Sequence, residues 1–311
     1  MSNVLLTPEV IASQALASLN DLLVMRPLVY TDLSQEFTNA KIGDTVNVRK
    51  PAVFTANRFD RNKGVQLQAA KEESIPVKVD QISDVSFAIT NEELTMSVED
   101  FDAQFLSPAM EAIANDIDRA ILDLRDDVKN TVGAEVGMEW NKPEVLIDAD
   151  RVLSANRVPV TDRYAIVGTG TKAKWLNSPV LKEVHRAGDD TALNRARLKE
   201  ELFGFTPYWT QCVNPIPSSG DPAPGDPATE VGIAFHKSAL GFVSVPMPVP
   251  PGAFGSTMNY NGLNVRVMYQ NDIMRKQTVI SVDTLFGVKC IDPNRAVLIK
   301  GGDVASTGDN S

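Results

Sequence analysis

The segment SPAMEAIANDIDRAILDLRDDVKN contains five aspartates, residue types that can hold a metal ion or act as an acid and base pair. Asp116 and Asp118 are two positions apart, so on a helix they point about 200° away from each other and cannot share one ion. Asp123 and Asp127 do share a face, but Arg119 lies one turn before Asp123 and favours a surface ion pair. We therefore predict that these carboxylates form the solvated face of a helix, not a catalytic or metal site.

The stretch RYAIVGTGTKAKW has the spacing of a dinucleotide-binding turn, in which glycines let the backbone approach a pyrophosphate. A strand-like run from Tyr164 to Val167 leads into Gly168, Gly170 and Ala173. The motif also requires a second strand with an acidic end about 20 residues later, and the polar run EVHRAGDDTALNRARL stands there instead. We predict an ordinary strand-to-helix turn, with a dinucleotide-binding enzyme as the lesser alternative.

No other catalytic pattern is present in the sequence. The two histidines, His185 and His236, belong to no H-E-x-x-H motif, and no Gly-x-Ser-x-Gly elbow occurs. Cys212 and Cys290 lie far apart, so neither a zinc site nor a disulfide framework is indicated. We predict no catalytic, cofactor-binding or metal-binding residues, and we expect that the chain is not an enzyme.

The composition is that of a folded protein with an acidic balance. Of its 311 residues, 43% are apolar and 23% are charged, which allows one large domain or two modest ones. The net charge of −10 argues against a dedicated nucleic-acid binder, because affinity for phosphates comes from clustered Lys and Arg. We expect neither a signal peptide nor a membrane span, and two isolated thiols fit a protein made in a reducing cytosol.

The N-terminal part predicts an amphipathic helix followed by two strands. Thr7 and Pro8 fit the N-cap and first position of a helix over residues 7–26. Its apolar stripe, whose partner the pattern leaves open, consists of Ile11, Ala15, Leu19, Leu22 and Leu23. From Gly43 the period changes to two. The alternating apolar residues are Val46 and Val48, then Ile75, Val77 and Val79, then Val85, Phe87 and Ile89.

Two features of the alternating runs stand out. Ile82 is out of step between the second and third runs, which indicates a bulge or a break between strands. The first and second runs are separated by the polar segment AVFTANRFDRNKGVQLQAAKEE, which is too long for a tight hairpin. We interpret it as a projecting β-arm with Arg58, Arg61 and Lys63 near its tip, the alternative being a solvated loop.

A long helix of about 22 residues is predicted to begin at Ser107. Its buried stripe consists of Met110, Ile113, Ile117, Ile121, Leu124 and Val128. The Pro- and Gly-rich runs 213–230 and 246–259 predict surface loops, and VGIAFHKSALGFVSV between them predicts two short strands around a turn. The runs GLNVRVMYQ, KQTVISVDTLFGVKCIDP and RAVLIK predict terminal strands.

The order of these elements resembles the major capsid protein of tailed bacteriophages, the Hong Kong ninety-seven type of fold. It is most similar to the branch related to the Salmonella phage coat protein. The matching residues, in the expected order, are LLTPEVIASQAL, IGDTVNVRKPAVFTA, VEDFDAQFLSPAMEAIANDID, IAFHKSALGF and SVDTLFGVKCIDPNRAVLI.

The resemblance implies an α+β fold with a defined division of the chain. The expected parts are an N-terminal arm (1–42), an extended β-loop (43–89), a peripheral domain with the spine helix (90–150 and 263–300), an axial domain (151–262) and a flexible tail (301–311).

The resemblance also implies a structural function. The chain would self-assemble into pentamers and hexamers of an icosahedral head that encloses double-stranded DNA without sequence-specific contact. It would be made in the bacterial cytoplasm and reside in the virion, with scaffolding, portal and decoration proteins as further partners and no cofactor. Arg58, Arg61 and Lys63 are the candidate inter-subunit contact. The shell of a cellular nanocompartment is the alternative.

Overall fold

The computed structural model describes residues 8–31, 45–50, 73–90, 102–182, 201–213 and 229–302. Helices and strands are mixed along this part of the chain, as the predicted α+β class requires. The helices are α1 (Pro8–Leu22), α2 (Ser107–Asp123), α3 (Val145–Ala155), α4 (Thr169–Leu176) and α5 (Pro179–Lys182). The strands are β1 (Thr45–Lys50), β2 (Glu73–Lys78), β3 (Gln81–Thr90), β4 (Thr131–Val132), β5 (Arg163–Val167), β6 (Thr206–Trp209), β7 (Gly232–His236), β8 (Leu240–Val245), β9 (Phe254–Tyr260), β10 (Leu263–Asp272), β11 (Gln277–Cys290) and β12 (Ala296–Ile299).

Helix α1 packs on the body of its own chain. It begins at Pro8, whose missing N–H is not needed in the first turn. Ile11, Ala15 and Leu19 are fully buried, and the helix contacts β9, β10 and α2. The structure therefore supplies the partner that the sequence pattern left open. Leu22, which the predicted stripe included, is instead 40% exposed.

Helix α2 is the long amphipathic helix that the sequence predicts from Ser107. A π-helical turn (Asp102–Leu106) leads into it, and a 3-10 turn (Leu124–Asp127) follows it. The α-helical part is 17 residues long, shorter than predicted because the last turn tightens. All six residues of the predicted stripe are buried or half-buried against α1, β3 and β11.

The first five-stranded sheet is antiparallel and is centred on β11. Its order is β3-β11-β10-β9, and β8 also pairs with β11. Strand β10 pairs with residues 277–283 of β11 and β8 with residues 285–290, so the two strands follow each other along one edge. The buried Asn264 joins their ends by donating through its side-chain amide to the Ser244 carbonyl at 3.0 Å.

The second five-stranded sheet is mixed, with the order β4-β12-β7-β5-β6. Strand β5 runs parallel to β6 and antiparallel to β7. Side chains of this second sheet form a core with those of α3 and α4. Trp175 and Phe205 are the largest fully buried residues in that core. The two short strands predicted around a turn exist as β7 and β8. They do not form a hairpin, because the 3-10 turn Lys237–Ala239 sends them into different sheets.

The alternating runs near the N-terminus form the strands that the sequence predicts. Strands β1 and β2 pair antiparallel over six residues as a two-stranded ribbon, with Val46 opposite Val77. Val79 and Asp80 separate β2 from β3, which is the predicted break. Strand β3, which the predicted division places in the extended β-loop, pairs with β11 over its ten residues. The domain limits themselves stay a prediction.

The root of the ribbon is anchored on the first sheet. Val77 and Val79 are fully buried in a small apolar cluster with Val243, Val245 and Leu285. Residues 51–72, which contain the predicted basic tip, lie outside the described residues.

Two further sequence predictions are modified. The run 246–259 was predicted to be a surface loop, but Phe254 already begins strand β9 and Met247 is buried. This prediction is therefore wrong for the second half of the run, where Phe254, Gly255 and Thr257 pair with β10. Of the run 213–230, residues 214–228 lie outside the described residues, as does the predicted tail beyond residue 302. None of the described helices has both the length and the apolarity that a bilayer-crossing helix needs.

We predict that Gly287→Ala loosens the ribbon root. A Cβ on Gly287 would collide with the carbonyl oxygen of Lys78 and lie 3.1 Å from the Cα of Val79, both backbone atoms that cannot swing away. The expected result is a loss of about 1–3 kcal/mol in the free energy of unfolding, measured by urea denaturation, with faster proteolysis of the ribbon. Gly302→Ala is the matched control, because a Cβ there meets nothing within 4 Å. Equal stability of both variants would contradict the anchor.

Candidate functional site

The aspartates of α2 and of the turn that follows it are not all exposed to solvent. Asp116, Asp123, Asp126 and Asp127 are exposed as predicted, but Asp118 is only 3% exposed. The prediction is therefore wrong for Asp118.

Asp118 holds the chain that follows α1. Its carboxylate accepts hydrogen bonds from the backbone N–H groups of Val24 and Met25, each at 3.1 Å. Burial raises the pKa of Asp118 to about 6, and the two hydrogen bonds only partly oppose that shift. Asp118 is four positions from both Ala114 and Leu122, which the structure buries beside the main stripe, so the buried face of α2 is wider than the predicted one.

The other charged residues of this helix make different contacts from those predicted. Within the described part of the chain, no ion pair joins Arg119 to Asp123, so that prediction is wrong. Arg125 is buried and donates to the carbonyl of Val231 at 3.0 Å, which ties the end of the long helix to the second sheet. Among the described residues, no group of three or more His, Cys, Asp and Glu side chains could hold a metal ion.

The glycine-rich turn between β5 and α4 is filled by a carboxylate of the same chain. Glu230 accepts hydrogen bonds from the backbone N–H of Gly170 at 3.0 Å and of Thr171 at 2.8 Å. The Thr171 hydroxyl donates to the same carboxylate at 2.8 Å. The carboxylate thus takes the place at the helix N-terminus that a phosphate would occupy in a dinucleotide-binding protein.

The position of the Glu230 carboxylate accounts for the presence of glycine at residues 168 and 170. A Cβ on Gly168 would lie 2.5 Å from Glu230 Oε2, and a Cβ on Gly170 would lie 2.9 Å from Oε1. Strand β5 also lies between one parallel and one antiparallel neighbour, unlike the first strand of a doubly wound parallel sheet. The arrangement is the strand-to-helix turn that the sequence predicts, and it does not fit a dinucleotide site.

The remaining groups that could do chemistry are held in structural roles. His236 Nδ1 accepts from the backbone N–H of Ser238 at 3.2 Å and caps the following 3-10 turn. Burial, together with nearby Arg295, lowers the pKa of His236 and favours its neutral form. Burial raises the pKa of Cys212, and that of Cys290 to about 11, so both thiols are held in their unreactive form. His185 lies outside the described residues.

The turn between β10 and β11 exposes two apolar side chains. Ile273 is 83% exposed and Met274 is 93% exposed. The turn is held in shape by Asp272, whose side chain accepts from the N–H groups of Met274 at 3.0 Å and Arg275 at 3.3 Å. The Arg275 side chain lies 3.9 Å from the same carboxylate and is itself 76% exposed, which makes this a weak surface ion pair. The turn therefore presents an apolar pair next to one acidic and one basic side chain.

The candidate inter-subunit residues Arg58, Arg61 and Lys63 lie outside the described residues. Their position near the tip of the β-arm stays a prediction.

Comparisons with known proteins give matches among solved structures. No protein-family model matches the chain, and no curated protein matches it significantly. A structure from Mycobacterium phage Che8 has 18% sequence identity and a TM-score of 0.64, and the match covers 91% of this chain and 92% of that chain.

Two further structures match over a similar length. The mature capsid of bacteriophage PhiM1 has 13% identity and a TM-score of 0.56, over 91% of this chain and 88% of that chain. A virus-like particle from Pyrococcus furiosus has 15% identity and a TM-score of 0.50, over 94% of this chain and 98% of that chain. At these identities the matches establish the fold, and the chain therefore has the fold of phage capsid proteins, the Hong Kong ninety-seven type that its sequence resembles.

Proposed function

We propose that this chain is a major capsid protein that self-assembles into the icosahedral head of a tailed phage. The observation that carries the proposal is the fold match, which covers 91% of this chain and 88% of a phage capsid chain without a large unmatched part on either side. In this function the chain forms pentamers and hexamers, encloses double-stranded DNA, is made in the host cytoplasm and resides in the virion. Scaffolding, portal and decoration proteins are its further partners.

The two-stranded ribbon supports assembly. An isolated pair of strands is marginally stable in water, and within the described residues β1 pairs only with β2. The ribbon root is buried on the first sheet, which fixes the place where the ribbon begins. A neighbouring copy that covers it would make a head-to-tail contact, and contacts of this kind close into rings.

The division of the chain follows from the same proposal. We assign residues 1–42 to the arm, 43–89 to the extended β-loop, 90–150 and 263–300 to the peripheral domain, and 151–262 to the axial domain. The second sheet, with Trp175 and Phe205 in its core, would form most of the axial domain. Helix α2 would be the spine helix of the peripheral domain.

The exposed turn Ile273–Lys276 is proposed as a second contact, made with the same turn of neighbouring copies. Ile273 and Met274 are adjacent and almost fully exposed, and a contact with another copy would remove their apolar surface from water. Asp272 and Arg275 pair weakly within one copy, and in a symmetric contact they could exchange partners between two copies.

A cellular nanocompartment shell is the second candidate function. The specific observation in its favour is the match to the Pyrococcus furiosus virus-like particle, which covers 98% of that chain. A phage head encloses DNA, whereas a nanocompartment encloses proteins, so the contents of the particle separate the two functions.

The first prediction is that the purified, concentrated protein forms rings or closed shells. The physical reason is that a two-stranded ribbon is only marginally stable by itself and would gain stability from the cover of another copy. Negative-stain electron microscopy and analytical ultracentrifugation measure the outcome, and a protein that remains monomeric at every concentration would contradict the proposal. Particles isolated from their natural source are expected to protect double-stranded DNA from nuclease. Particles that contain protein and no DNA would favour the nanocompartment.

A second prediction concerns the basic tip of the β-arm. The variant Arg58→Glu, Arg61→Glu, Lys63→Glu should assemble poorly while its melting temperature stays unchanged, because these cations are proposed to face the exposed acidic side of α2 on a neighbour. Particle yield at low and high salt measures the effect. Reversing the exposed charge of Lys129, which lies beyond the end of α2, provides a control for the loss of a positive charge elsewhere on the surface. Normal particles from the triple variant would refute this contact.

A third prediction concerns the exposed turn. In particles of Met274→Cys, mild oxidation should form a disulfide between the residue-274 thiols of two neighbouring copies, giving covalent dimers on non-reducing gels. The native Cys212 and Cys290 are buried and should not compete. Val136→Cys is the matched control, because Val136 is also 93% exposed but lies elsewhere. Particles that form normally without linkage at residue 274, or with equal linkage at residue 136, would overturn the turn contact and leave the capsid function standing.

A further inference from the structure

The N-terminal helix is attached to its own subunit by more than apolar packing. After α1, the chain passes Asp118 at Val24 and Met25 and then reaches Tyr30. The Tyr30 N–H donates to the Leu240 carbonyl at 3.0 Å, and the Tyr30 carbonyl accepts from the Phe242 N–H at 3.0 Å. These bonds tie residues 24–30 to α2 and β8 of the same chain.

Asp118 is the only side chain of α2 that the structure shows accepting hydrogen bonds from this segment. One carboxylate oxygen accepts from Val24 and the other from Met25, so both oxygens are committed. These two hydrogen bonds favour the ionised carboxylate, but its desolvation on burial outweighs them. Removing it would leave two backbone donors without this acceptor beside a buried helix.

The attachment of α1 also contains polar groups that reduce its stability. Arg26 is 7% exposed, and its guanidinium reaches the side chain of Asn20 and the carbonyl of Asn261. Within the described part of the chain, its Nε and the buried Gln14 Oε1 have no hydrogen-bond partner. Buried polar atoms of this kind oppose docking, so α1 depends on Asp118 more than an entirely apolar helix would.

We infer that Asp118 is the positioning residue that acts as a latch, keeping α1 docked on its own subunit. We also infer that the docking equilibrium shifts further toward the docked state as the pH falls. In the docked state the carboxyl is desolvated, whereas in an undocked state it would be in water. Desolvation makes the docked form bind a proton more tightly than the undocked form, so acidification favours docking by linkage.

The sign and the pH window follow from the pKa shift of Asp118. Its pKa is raised from 3.8 to about 6 in the docked state. The stabilisation is therefore fully present below the lower value and is lost as the pH rises through the upper one. Above about pH 7 the carboxyl is ionised in both states and no further change occurs. The equilibrium for docking should then rise about tenfold between pH 7 and pH 5.

The charged and titratable groups around Asp118 do not account for such a change. The charged groups nearby are Arg119 on the same helix and Arg26 after α1, and the guanidinium group of arginine is not deprotonated in proteins. Cys212, on the turn after β6, has a raised pKa and stays neutral. In the described part of the chain, Asp118 is therefore the group of this site that titrates between pH 7 and pH 5.

The inference goes beyond shell formation and is tested in the purified full-length subunit. Hydrogen exchange, corrected for the intrinsic chemical rate at each pH, gives the protection of peptides from residues 8–31 and from β11. In Asp118→Ala, protection of residues 8–31 should fall at least tenfold while that of β11 stays unchanged. Asp116→Asn is the matched control, because Asp116 is exposed on the same helix.

The pH dependence of protection distinguishes a role of Asp118 in docking α1 from a role in supporting the whole fold. The ratio of protection between the native protein and Asp118→Asn in residues 8–31 should rise about tenfold from pH 7 to pH 5, since the amide does not titrate. A constant ratio would overturn the pH-dependent latch. Loss of protection that spreads equally to β11 in Asp118→Ala would show that Asp118 supports the whole fold. Because neither result depends on particles, failure here leaves the capsid proposal untouched.

Discussion

The strand β11 is the constraint on which the rest of the structure depends. Residues 277–286 of this 14-residue strand pair with β3 on one edge, and its other edge pairs with β10 and then with β8. Buried backbone groups must be paired, so a shift in the register of β11 would break all three ladders at once. Because only two residues separate β3 from β2, the register of β3 on β11 also sets where the ribbon root crosses the sheet. Gly287 permits that crossing by leaving room for the backbone of Lys78.

The parts of this fold that are predictable from sequence are those that depend on a local period. Helix α2 begins at Ser107 and buries its stripe, and the alternating runs form the strands β1, β2 and β3, because a local period is enough to indicate the type of element. Tertiary contacts decide the rest. The polar Asp118 is buried because it satisfies two N–H groups 93 and 94 residues away, a pairing that no local window contains. Likewise, β7 and β8 follow each other in the chain but complete different sheets.

The glycine-rich turn shows how a motif can carry the geometry of a function without the function. Its backbone N–H groups at the start of α4 do form the anion-binding arrangement that the spacing of Gly168 and Gly170 suggests. Glu230, about 60 residues later, supplies the anion from within the chain. Glycine at these two positions leaves room for the close approach of the carboxylate, as it would for a phosphate. The turn and the strand before it therefore fasten the start of β7 to α4.

The two proposed contacts between copies are connected by one rigid element. The ribbon root lies over Gly287, and the exposed turn ends where β11 begins at Gln277. Ten residues of extended strand separate these points, about 34 Å at the usual rise. Because β11 is paired on both edges over this length, the separation cannot adjust as a loop would. In a shell built from these contacts, the hydrogen-bonded strand β11 would set the distance between the two contacts on each copy. Differences in geometry between rings of different size would then be taken up by the ribbon beyond its root.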